Sequence, residues 1–156
     1  METKQLSKYA NTILKSYWNN ILPVDPFTLL RSSGWRVFFS DSLIESNMDF
    51  FIDQEEKHIY MNAKLLEDAY KSRVVCAKSF AYALTSSRET PLSEKDAMGF
   101  AAEILIPELF LGLISDIEES VNRFAVTSDL VRIRRNQMTS LEYTSTTGFQ
   151  PVELSK

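Results

Sequence analysis

Leu6, Tyr9, Ala10, Ile13, Leu14, Tyr17 and Ile21 recur three and four residues apart, the apolar stripe of an amphipathic helix over about residues 4–20. Pro23 closes that helix. Asp25 before Pro26 supplies an N-cap with proline at the first helical position, opening a short helix that carries Phe27, Leu29 and Leu30 and stops near Gly34. Trp35 to Phe39 has the composition of a strand. Two further runs, Met48 to Ile52 and Lys57 to Met61, are rich in β-branched and aromatic residues and flank the polar Asp53-Gln54-Glu55-Glu56. That is the pattern of a β-hairpin, with His58 on its second strand.

From Ser72 to Thr85 the residues Val75, Cys76, Ser79, Phe80, Ala83 and Leu84 share one face at helical spacing, which predicts a central buried helix. Ser93 with Asp96 resembles a capping box and opens a helix through Leu105, and Pro107 starts another. Residues Ile114 to Phe124 are helical in pattern. Thr127 or Ser128 caps a last helix, Asp129 to Asn136. The Ser/Thr-rich stretch from Thr139 to Gly148 has no apolar period, so the expectation for residues 139–156 is a flexible tail.

A chain of 156 residues with 44% apolar side chains buries one sizeable core. The expected organisation is one domain over residues 1–112, a C-terminal helical extension over 113–138, and the tail. The fold class is α+β, mostly helical with a small antiparallel sheet. A formal charge of -4 and a pI near 5.1 repel a phosphate backbone overall and disfavour nucleic acid as a partner. The single cysteine, Cys76, lies in an apolar run and allows no intrachain disulfide. No run approaches the ~18 apolar residues of a membrane span, and the N-terminus lacks the pattern of a secretory signal. The expected location is the cytoplasm, without a membrane partner.

Leu22-Pro23-Val24-Asp25-Pro26 follows the first helix, Ile59-Tyr60-Met61-Asn62 closes the hairpin, and Glu94 to Pro107 is close to the pattern E-x-x-A-x-x-F-A-x-x-L-L-x-P. In this order the segments resemble those of the ImmA/IrrE family of intracellular zinc metallopeptidases. Phe124-Ala125-Val126-Thr127-Ser128 resembles its F-x-V-S segment. The resemblance spans about residues 4–135 and implies a zincin-like domain. Between the hairpin and Glu94 the family carries R-F-x-x-A-H-E-x-x-H, two zinc-binding histidines and a glutamate that activates the metal's water. The matching residues here are Arg73-Val74-Val75-Cys76-Ala77-Lys78-Ser79-Phe80-Ala81-Tyr82. Lys78 and Tyr82 stand at the histidine positions, Ser79 at the base, and Glu94 at the third ligand.

Those substitutions are chemically severe. A protonated Lys78 puts positive charge where zinc would sit, Ser79 accepts no proton unaided at neutral pH, and Tyr82 would have to ionise from a reference pKa near ~10. The chain has one histidine, His58, and one cysteine, whereas catalytic zinc usually takes two or three imidazoles or thiolates. The expectation is therefore an inactive relative with no catalytic residue, no metal and no cofactor. Lys78, Ser79, Tyr82 and Glu94 would form a vestigial site in which Lys78 replaces the metal as counter-charge to Glu94 and the Tyr82 hydroxyl is a second donor. The competing reading lets Lys78 extend into solvent. A Ser79/Lys78 hydrolase is disfavoured because adjacent helical residues point about 100° apart.

Arg123, Arg132, Arg134 and Arg135 face only Asp129 between residues 121 and 138, four positive against one negative, or +3. That is a candidate basic patch for an acidic partner or DNA; a solvated helix end is the plainer reading. Family members commonly cut helix-turn-helix repressors of phages and mobile elements. The resemblance thus implies a non-catalytic protein that binds such a regulatory protein. The alternative is a zinc-dependent endopeptidase with an atypical ligand set, for which Glu94, His58 and Glu103 would be the first residues to test.

Overall fold

The structure, a computed structural model, describes residues 3–148, with side chains described for residues 4–139. Helix α1, Thr3–Tyr17, buries Leu6, Ala10, Ile13 and Leu14 and leaves Tyr9, Tyr17 and Ile21 exposed. The helix thus ends before the stripe does. Asp25 caps α2, Pro26–Ser32, its side chain accepting from the Phe27 and Thr28 amides at 3.0 and 3.3 Å. Gly34, at φ +95°, then turns the chain into a strand, a conformation that costs glycine little.

Strands β1 (Arg36–Ser40), β2 (Phe50–Asp53) and β3 (His58–Asn62) make one sheet in the order β1-β3-β2. The β2–β3 hairpin is antiparallel, as its pattern predicts. β1, however, runs parallel to β3, so the sheet is mixed and not antiparallel. The reason is the connection: a short helix α3, Ser42–Ser46, carries the chain from the end of β1 to β2 at the far edge, and the hairpin returns β3 between them.

Helix α4, Ala69–Leu84, is the centre of the molecule, with Val74, Val75, Cys76, Ala77, Phe80, Ala81 and Ala83 all buried. It packs on α2, β2 and α5, Glu94–Leu105, where the Phe80 and Phe100 rings meet edge to face at 6.2 Å. The predicted cap of α5 is present, Ser93 Oγ accepting from the Asp96 amide at 3.1 Å. After Pro107 there is only a 3₁₀ stretch, Glu108–Leu113, in place of the expected helix. Helix α6, Ile117–Phe124, is capped by Asp116, and Ala125 at φ 54° ends it.

Helix α7, Ser128–Gly148, continues beyond the expected stop near Asn136. Residues 149–156 of the expected tail lie outside the described residues. Phe124, Val126, Leu130 and Val131 belong to the same buried cluster as α4 and α5, so the C-terminal helices share the main core. Among the described residues no helix is long and apolar enough to cross a membrane.

Candidate functional site

Lys78 and Tyr82 lie one helical turn apart on α4 and therefore project from one face. Glu94 is the first residue of α5, the helix packed against that face. The three side chains meet there. Lys78 Nζ donates to Glu94 Oε2 at 3.0 Å, and Tyr82 Oη donates to Glu94 Oε1 at 3.4 Å. Lys78 is largely covered, with 11% of its side chain exposed, whereas 66% of the Glu94 side chain faces solvent. The lysine does not extend away into water.

Burial raises the Tyr82 pKa above the ordinary phenol value, and the Glu94 charge and the hydrogen bond to it act in the same direction. The phenol therefore stays protonated at neutral pH and acts as a donor. Its ring is fixed from the other side by Phe50 of β2 at 5.5 Å. The carboxylate thus holds an ammonium on one oxygen and a phenol on the other.

Ser79 is not part of this group. Its side chain is fully buried and donates to the Cys76 carbonyl at 2.7 Å, the local bond that helical serines make inside a core. Cys76 is equally buried, and burial foremost drives its thiol pKa up, which disfavours a thiolate ligand. His58 sits on the other face of the sheet, its Nδ1 3.2 Å from Tyr60 Oη. Glu103 lies further along α5, accepting from Ser7 Oγ at 2.9 Å. Among the described residues, no three His, Cys, Asp or Glu side chains come together where they would hold a metal ion.

The four arginines differ in burial and in what they hold. Arg134 is buried, donating to the Ile106 carbonyl at 2.8 Å and to Gln137 Oε1 at 2.9 Å. Arg123 donates to the Leu113 carbonyl at 2.8 Å and Arg135 to that of Ser115. Arg132, exposed like Arg123, lies 3.4 Å from Asp129. Three of the four secure the segment between α5 and α6, because its carbonyls have no helical partners.

Arg73 is a residue whose work composition does not signal. Its guanidinium donates to the carbonyls of Val24, before α2, and Ala125, after α6. The match of Arg73 to the arginine of the family's helix motif is the one sign of it in the sequence.

No protein-family model matches the chain, and no curated protein matches it. Among solved structures it is similar to a Mycobacterium tuberculosis transcriptional regulator, with 15% identity and a TM-score of 0.60 over 84% of this chain. The match covers 46% of that chain, so this sequence spans less than half of its length. A likeness at this identity is one of fold, and it concerns nearly the whole α+β body described above.

Proposed function

We propose that this chain is a non-catalytic relative of the ImmA/IrrE peptidases, with a zincin-like domain that binds a regulatory protein instead of cutting it. The observation that carries the reading is the Lys78–Glu94 pair. At the position that the resemblance gives to zinc, an ammonium lies 3.0 Å from the carboxylate that would be the third ligand. A cation already neutralises Glu94, and a metal would have to displace it against like-charge repulsion. Tyr82 at the second histidine position is a neutral donor, and the residue at the base position points into the core.

The regulatory partner, a helix-turn-helix repressor of a phage or mobile element, comes from the resemblance. The fold shared with a protein named a transcriptional regulator is in keeping with it, although fold alone does not specify function.

Elemental analysis after dialysis against zinc and then metal-free buffer tests the chemistry. Folded protein with almost no retained zinc is the expected result. One zinc per chain returns the endopeptidase reading, with Glu94, His58 and Glu103 as the first residues to replace. For the partner, a pull-down from the source cell should retain an intact regulatory protein with the native chain and lose it with Lys78→Glu. Background retention by both chains would remove the binding role.

A further inference from the structure

The strands alternate, so Phe50 and Ile52 turn toward α4 while Phe51 and Asp53 turn the other way. On that outer face the register places Phe38, Tyr60 and Phe51 in one row across all three strands. Phe38 stacks on Tyr60 at 5.6 Å, and Phe51 lies 6.5 Å from Tyr60 on its other side. Phe38 and Phe51 are 39% and 53% exposed. The next row is Arg36, His58 and Asp53, with His58 held between the Phe38 ring and the Tyr60 hydroxyl. No element of the described chain covers the aromatic row, and a row of ordered, exposed aromatic rings is the composition of a binding surface.

The charge around this face decides what fits it. At one end the Asn62 amide donates to the Leu43 and Met48 carbonyls, fixing the segment that carries Asp41, Glu45 and Asp49. At the other end is the hairpin turn with Asp53, Glu55 and Glu56. Between residues 31 and 64 these six carboxylates stand against Arg31, Arg36, Lys57 and Lys64, six negative minus four positive, or -2. Single-stranded nucleic acid stacks on aromatic platforms that are set in positive grooves, and this border has the opposite sign. A second copy would bring the same negative border against itself. We infer that the outer face of the sheet docks a basic amphipathic segment of a partner protein, its apolar side chains on the Phe38–Tyr60–Phe51 row and its lysines or arginines on the bordering carboxylates. Cations over the exposed ring faces add to the attraction.

This surface lies on the opposite side of the sheet from Tyr82 and Glu94, so the two assignments are separable. The probe is an amphipathic Lys/Leu peptide of about 18 residues, some five helical turns, with a Glu/Leu peptide and an oligothymidylate as comparisons. Titrated into the isotope-labelled full chain, the Lys/Leu peptide should shift amides of residues 36–62 selectively. Phe51→Ser should weaken it about tenfold, as loss of a central aromatic contact does. Glu45→Lys with Asp49→Lys, both exposed, supplies a second variant that leaves the aromatic row intact and should weaken binding similarly. Glu118→Ala, at an exposed position of α6, should leave binding unchanged, whatever the zinc analysis returns. Shifts centred outside residues 36–62, equal binding of the Glu/Leu peptide, preference for the oligonucleotide, or self-association abolished by Phe51→Ser would each overturn the assignment.

Discussion

Lys78 and Glu94 form an ion pair with one dry end and one wet end, and that asymmetry sets its worth. The covered lysine needs its partner, since an ammonium without one loses solvation that nothing replaces. The exposed carboxylate keeps its water, which holds the pair near the surface range. Lys78→Ala should therefore cost about 1 kcal/mol, or a fall of ~2–4 °C in melting temperature for a chain of this size. Scanning calorimetry checks it, and an unchanged midpoint would mean that the pair does not hold α4 to α5. Tyr82→Phe, which loses only the 3.4 Å bond, should have a smaller effect.

Between elements, Arg73 reaches furthest. One planar group on α4 holds the carbonyl before α2 and the carbonyl after α6, a fork that a lysine cannot reproduce. Arg73→Lys should lower stability by about 2 kcal/mol, since hydrogen bonds to charged donors are the stronger ones. The urea midpoint should fall with no change in slope; an unaltered midpoint would show that water replaces the guanidinium at both carbonyls. Helices α1, α2, α4 and α5 were legible in the sequence because their caps and periods are local: Asp25 before Pro26, Ser93 three residues before Asp96, and the spacing of Val75, Phe80 and Ala83. The parallel pairing of β1 was not, because alternation tells which side chains share a face but nothing of strand direction. Likewise Lys78 and Tyr82 could be placed on one face by counting, whereas the meeting with Glu94 came from the resemblance. The inward turn of Ser79 was legible by the same count, since it shares a face with Val75, Phe80 and Ala83, but the carbonyl partners of Arg123, Arg134 and Arg135 were invisible. A backbone carbonyl that needs a donor leaves no mark in the sequence.

In the molecule as a whole, α1, α5 and α7 converge on a half-buried acid. Burial raises the Glu103 pKa, while the Ser7 hydroxyl and the Arg134 charge pull it back down and Glu108 adds to the rise. The folded chain then keeps this proton over a range where the unfolded chain, with a carboxyl near ~4.3, has released it. Stability must fall as pH rises from that ordinary value through the folded one. In Glu103→Gln this part of the decline should vanish, whatever its absolute stability; denaturant midpoints measured for both chains from about pH 4 to pH 7 will show it. Parallel pH profiles would mean that Glu103 titrates as it does in the unfolded chain.

The order β1-β3-β2 also carries a consequence for how the chain reaches its shape. The hairpin closes over a four-residue turn and can form early, on the microsecond scale of such elements. The partner of β1 is absent until β3 has been laid down, so its addition closes a longer loop and comes at a greater entropic cost. Until then Phe38 and Phe39 of β1 are unpaired in an apolar run, and the free edge of β3 is open to any strand of matching register. A nascent or refolding chain is therefore most vulnerable to intermolecular pairing at this one seam, and the five residues of β1 are what seal it.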